Sequence, residues 1–184
     1  MAKMTRERRN PRPLDATRLN DMALAYVARF ATSAAKLEGY LRRKLRERGW
    51  AGEGAPPVAE LVQRMVSLRY VDDESFARAK SGSLLRRGYG PRRVDQALDQ
   101  AGIAAAVRDE VRAAPAAQRQ AALAMARKRR LGPFGPGAAD PKAREKQVAA
   151  LLRAGHPLDS ARNLVDAASI AAAEEWAAEF DGDQ

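Results

Sequence analysis

The sequence predicts an all-α protein: a tandem array of three three-helix, helix-turn-helix-like repeats forming an elongated curved molecule. One short pattern occurs three times, as Leu45-x-x-x-Gly49-Trp50, Leu98-x-x-x-Gly102-Ile103 and Leu151-x-x-x-Gly155-His156, each copy 53 residues after the one before. A fixed period marks units that cannot bury an apolar face alone and must stack on their neighbours. Composition selects helix: the chain has ten Val, two Ile, three Thr and 5% aromatics, too little for a buried sheet. Ala, Leu, Arg and Glu, which lose least on entering a helix, dominate. Apolar residues, finally, fall at i, i+3 and i+4 along most of the chain.

The elements follow in order. Residues 1–16 are basic, carry Pro11 and Pro13 and lack apolar periodicity, which reads as a disordered arm with Lys3, Arg6, Arg8, Arg9 and Arg12 dispersed on it. Repeat 1 spans 17–70. Leu19, Met22, Ala23, Tyr26, Val27 and Phe30 form one helical stripe. Ser33 caps a second helix with Leu37, Leu41 and Leu45 inward, stopped by Gly49. After the Gly- and Pro-containing link, Val58, Leu61, Val62, Met65, Val66 and Leu68 mark a third.

Repeat 2 spans 71–114. It opens with Asp72 as a helix cap, with Asp73 and Glu74 at the positive end of the helix dipole and Phe76 and Leu84 inward, and this helix ends at Gly88. Pro91 starts the next, with Val94, Ala97, Leu98 and Ala101 inside and Gly102 at its end. Val107 and Val111 mark a short third. Repeat 3, 115–168, has helices over 118–130 and 142–154 and another from Pro157 with Leu158, Ala161, Leu164 and Val165 inside. The interval 169–184 reads as an acidic tail, so nine helices are expected.

Charge is uneven. The net value is +10, and residues 1–50 hold thirteen Lys/Arg against five Asp/Glu, whereas 166–184 hold six acids and no base. A basic front points to a polyanionic or acidic partner, or simply to a solvated charged surface. The absence of Cys excludes disulfides and thiolate metal sites and fits a reducing compartment. With no apolar stretch of about 20 residues, no membrane association is expected and a cytoplasmic location is.

The segment 70–77, Tyr-Val-Asp-Asp-Glu-Ser-Phe-Ala, followed by Arg87-Gly88-Tyr89-Gly90-Pro91-Arg92-Arg93-Val94 and Leu98-x-x-x-Gly102-Ile103, resembles the central signature of the RecX family, regulators of the bacterial recombinase RecA. The Leu41/Leu45/Gly49 copy and the 151–155 copy resemble that family's flanking repeats. Gly49, Trp50, Tyr70, Asp72, Asp73, Phe76, Gly88, Gly90, Pro91, Gly102, Ile103 and Gly155 make up the structural signature. Three positions depart from it: Arg69 where glycine is usual, Leu37 where a helix-initiating serine is frequent, and His156 where the third copy usually has an aromatic. The resemblance implies a non-enzymatic, monomeric regulator without cofactor that lies along the groove of the RecA filament on single-stranded DNA. Such proteins mostly restrain strand exchange, ATP hydrolysis and repressor cleavage in DNA repair and the SOS response. The alternative is a RecA-independent, non-specific DNA-binding protein.

Candidate contacts are basic. Arg86, Arg87, Arg92 and Arg93 surround Tyr89-Gly90-Pro91, and the last two fall in a helix first turn, where a cation is disfavoured by roughly 0.3–1 kcal/mol; this suggests an anionic partner. Arg127, Lys128, Arg129 and Arg130 precede a loop carrying Phe134, which either stacks on bases or folds back onto the repeat junction. Arg42, Arg43 and Arg46 point away from the second helix's apolar stripe and complete the set. Gly88-x-Gly90 lacks the strand, third glycine and Lys-Ser/Thr of a phosphate loop and reads as a helix stop and restart. Asp72 and Asp73 are explained by capping rather than acid-base work, and Trp50 by packing in the seam between repeats. His156 has no second ligand for a metal.

Overall fold

The computed structural model describes residues 12–136 and 140–179, and the first eleven residues, which include Lys3, Arg6, Arg8 and Arg9 of the expected arm, lie outside them. Ten α-helices are present among the described residues: α1 (Ala16–Arg29), α2 (Ala34–Arg48), α3 (Val58–Ser67), α4 (Asp73–Arg86), α5 (Pro91–Asp99), α6 (Ala105–Glu110), α7 (Pro115–Arg129), α8 (Pro141–Arg153), α9 (Leu158–Val165) and α10 (Ile170–Ala178). A 3₁₀ turn occupies Gly132–Phe134. The chain forms two compact units that part between Asp73 and Glu74.

Unit 1 packs α1, α2 and α3 around Leu19, Ala23, Leu37, Leu41, Leu61, Val62 and Met65. Ser33 caps α2 as expected, its Oγ accepting from Lys36 N–H at 3.3 Å. The α2 N-terminus has a second acceptor: Asp73 Oδ1 takes the Ala34 N–H at 2.9 Å, so this carboxylate serves a helix other than its own. Leu37, at the departing position, is fully buried core, which leaves helix initiation to Ser33.

Three expectations for this unit fail, one of them the inward placing of Phe30, which is half exposed. The arm reading does not hold at its end, because Leu14 is fully buried and bridges Trp50: its N–H donates to Gly49 O at 3.0 Å and its carbonyl accepts from Ala51 at 2.8 Å. Asp15 then caps α1. Val66 and Leu68, expected inside, are exposed; α3 ends at Ser67 and turns its last apolar residues outward.

Unit 2 has two apolar clusters. Ala77, Leu84, Val94, Leu98, Ala101 and Ile103 form one, from α4 and α5 and the turn after α5. The other gathers α7 to α10 around Leu123, Met125, Leu151, Leu164 and Val165. Tyr89 packs against both.

The tenth helix lies in the interval expected as an acidic tail. Ser169 caps it, Ala173 and Ala177 are buried against the second cluster, and Gln120 Nε2 donates to Ala177 O at 2.9 Å, satisfying an end carbonyl. Arg127 pairs with Glu174 of the same helix. Its acids mask an amphipathic spacing of Ala173, Trp176 and Ala177. No described helix is long and apolar enough to cross a membrane.

Candidate functional site

The arginine corner of unit 2 is built by three glycines. Gly88 stops α4 at φ 85°, its N–H donating to Leu85 O while Tyr89 N–H donates to Leu84 O, a paired closure that needs a left-handed residue. Gly90 then begins α5. Facing it, Gly155 closes α8 at φ 94° with the same pair of bonds, Gly155 to Leu152 and His156 to Leu151.

The two glycine turns pack backbone to backbone. Gly90 N–H donates to Ala154 O at 2.8 Å and Arg92 N–H to Gly155 O at 3.2 Å, so α5's orphan donors meet α8's orphan acceptors with their dipoles in favourable sense. A Cβ on Gly90 would stand 2.4 Å from the Gly155 carbonyl, and one on Gly155 2.5 Å from Arg93 N. Gly88 lies as close to Met125, where a Cβ would be 2.9 Å from backbone N. The stop-and-restart reading of Gly88-x-Gly90 is thus correct but incomplete, since Gly90 is demanded by close approach.

His156 locks this junction. Its Nε2 bonds to Gly88 O at 2.9 Å, the ring is almost wholly buried, and Nδ1 has no partner among the described residues. The carbonyl can only accept, so Nε2 carries a proton in this bond. Burial pushes its pKa below the ordinary 6.5, opposed by the hydrogen bond to Gly88. The ring therefore packs in the junction rather than facing solvent. Among the described residues no group of three or more His, Asp or Glu could hold a metal ion.

The candidate cations are all exposed and sort by partner. Arg42 is held by Glu38, Arg43 by Glu47 and Arg127 by Glu174. Arg87 lies over the Tyr89 ring at 5.2 Å and Arg93 donates to Gln96 at 2.9 Å. Arg46, Arg86, Arg92, Lys128, Arg129 and Arg130 have no carboxylate partner among the described residues, which leaves their charge available to an outside anion. α7 passes Gly88 at Met125, two residues before Arg127, so the corner arginines and the basic end of α7 start from one packing point.

Phe134 takes the folded-back course, partly buried on the second cluster with Arg127 5.6 Å above its ring. Trp50 packs on the unit 1 core beside Leu14 and donates to Gly54 O at 3.1 Å. Phe76 and Ile103 pack in the α4–α5 cluster, Pro91 opens α5, and Asp72 precedes α4. Tyr70 is 56% exposed. Gly49 and Gly102 both have positive φ, 80° and 71°.

The comparisons with known proteins agree with this geometry. A family model described as RecX, second three-helix domain, matches residues 72–111. The regulatory protein RecX of Myxococcus xanthus (strain DK1622) is 33% identical over 174 residues, covering 89% of this chain and 92% of that protein. The crystal structure of RecX from Lactobacillus salivarius superposes with a TM-score of 0.63 at 16% identity, over 82% of this chain and 94% of that one, and so shares the fold. A further crystal structure of regulatory protein RecX gives 0.61 at 17% identity, over 82% and 70%. The helical repeats, the glycine turns and a relative this similar over nearly its whole length lead to one conclusion: the chain belongs to the RecX family.

Proposed function

We propose that this chain binds the RecA filament on single-stranded DNA and restrains it, damping recombinase, ATPase and coprotease activity without catalysing a reaction. The observation that carries the reading is the likeness to a relative named a regulatory protein over nearly its full length. The charges of Arg86 and Arg92, which no described carboxylate pairs, supply a means: a fixed corner between α4 and α5 offers them to an acidic surface or a phosphate. Arg42, Arg43, Arg46 and the Arg127–Arg130 run add further positive surface.

The test is Arg92→Ala with Arg93→Ala. Neither side chain holds a carboxylate among the described residues, and both sit in the first turn of α5, so unfolding should be unchanged or slightly harder while inhibition of RecA ATPase falls. Inhibition equal to the parent's would remove the corner from the contact. RecA-independent DNA binding is distinguished by titrating bare and RecA-coated strands against salt, since a purely phosphate-driven contact weakens steeply on both.

A further inference from the structure

The face of unit 1 where α1 ends against α2 carries an arrangement that shares only Arg43 with the sequence-predicted contacts. Tyr26 of α1 stacks on Tyr40 of α2, centroids 4.2 Å apart and planes 18° from parallel. Phe30, at the C-cap of α1, tilts against Tyr26 at 5.2 Å. The helical stripe places Phe30 in the core, yet it is 51% exposed: the chain leaves the helix there in an extended conformation and carries the ring outward.

Two guanidiniums frame these rings, Arg29 at 5.8 Å from Phe30 and Arg43 at 5.6 Å from Tyr40. Together with Ala25 they line an open cleft of about 330 Å³ that contains no carboxylate. Arg29 has no ion-pair partner among the described residues. Arg43 meets Glu47 only at 3.7 Å, between two well-exposed side chains, a pairing that an incoming anion displaces at little cost.

We propose that Tyr26, Phe30 and Tyr40 with Arg29 and Arg43 form a stacking site for the unpaired bases of single-stranded DNA. Flat apolar faces beside Arg29, which no described carboxylate pairs, and the loosely paired Arg43 call for a ligand that is planar, apolar on its faces and anionic at its edge. A nucleotide in a single strand has all three properties, whereas in a duplex its faces are covered by neighbouring bases. The surplus of thirteen bases over five acids in residues 1–50 favours a polyanion on this unit. The choice of DNA rests on the proposed function; the stacking does not, and it is measured without RecA.

The full chain is titrated with a thymidine oligonucleotide and with a duplex of equal phosphate number, as the parent, Phe30→Ala and Phe30→Trp. Phe30→Ala should bind the oligonucleotide about fivefold or more weakly and the duplex unchanged within about twofold. Phe30→Trp should keep the parent's affinity and show emission quenched by the oligonucleotide beyond the signal of Trp50 and Trp176 in the parent. Helical content and thermal midpoint of both variants should match the parent, as replacing a half-exposed ring predicts. Absent quenching, or an equal loss on the duplex, overturns the site. So does Phe30→Ala that binds the oligonucleotide normally but loses RecA in the absence of DNA, which would make the patch a protein contact. Intact, ring-dependent strand binding in a protein that fails to inhibit RecA would instead sink the regulator reading and leave this one standing.

Discussion

The first and third copies of the repeated pattern share their leucine and glycine and use them differently. In unit 1, Gly49 has φ 80° and ψ 170°, closes α2 with a single bond to Leu45 O, and sends the chain into the extended bridge with Leu14; a Cβ there would touch nothing within 4 Å. In unit 2, Gly155 ends α8 with the paired closure and gives its carbonyl to Arg92, where a Cβ would strike the Arg93 backbone. The comparison teaches that one local need, a positive φ after a helix, recurs with the repeat, while the tertiary use of that turn is set by what faces it.

Replacing each glycine by alanine separates the two. Gly49→Ala carries only the backbone penalty, about 1–3 kcal/mol for a conformation open essentially to glycine. Gly155→Ala adds a backbone clash and should cost more than about 4 kcal/mol, the range reached only through a named structural break. Gly90→Ala isolates the clash, since φ is −81° there and ordinary for alanine. Urea midpoints at unchanged slope measure all three. Equal costs at Gly49 and Gly155, or a tolerated Gly90→Ala, would mean that the junction is looser than its hydrogen bonds state.

How much of this was legible in the sequence follows the same division. Helices α1 to α9 were readable because periodicity, caps and glycine stops are local. Leu14 was not: it stands between prolines and polar residues, and its burial depends on Trp50, far along the chain. In α10 the acids that suggested a tail hid the small apolar face. Gly90 announced a helix restart, but its need for a bare Cα comes from Gly155 across the junction. Candidate cations can be named from charge and spacing, yet which of them have carboxylates on hand, and that Phe30 faces water beside Arg29, are facts of packing that composition does not encode.

His156 provides a smaller contrast, in pH, because the equivalent residue of the first copy is Trp50, which does not titrate. Well above pH 6.5 the histidine is neutral folded and unfolded and contributes no pH dependence. Below it the unfolded chain takes up a proton that the buried, depressed ring resists, so the unfolded state binds more protons and stability falls with falling pH, by at most about 1.4 kcal/mol per unit. Asp166, held below its ordinary 3.8 by the hydrogen bond from Arg144, loses its contribution only at more acid pH, so a comparison between pH 7 and 5 separates the two. His156→Phe forfeits the bond to Gly88, about 1 kcal/mol at pH 7, and should flatten the profile between pH 7 and 5. A profile unchanged by the substitution would show that water reaches the ring.

The smallest effect comes from two turns that lack the glycine their geometry favours. Arg69 after α3 and Arg130 after α7 have φ of 57° and 54° and make the same paired closure as Gly155: Arg69 to Val66 with Tyr70 to Met65, and Arg130 to Arg127 with Leu131 to Ala126. A left-handed residue with a side chain costs about 1–2 kcal/mol, and glycine returns about 0.5–1 of that as lost chain entropy. Arg69→Gly and Arg130→Gly should therefore each stabilise by about 0.5–1 kcal/mol, one in each unit, read as a rise in the urea midpoint. Their effects on binding should differ. Arg130, at the basic end of α7, has no carboxylate partner among the described residues, so Arg130→Gly should weaken binding to a thymidine oligonucleotide and shallow its salt dependence by about one phosphate contact. Arg69→Gly tests the turn itself: it supplies the residue that a φ of 57° favours. Stabilisation with unchanged binding would show that Arg69 bears strain for no contact, whereas a loss of binding would place the α3 end on the interaction surface and give the exposed Val66, Leu68 and Tyr70 a partner.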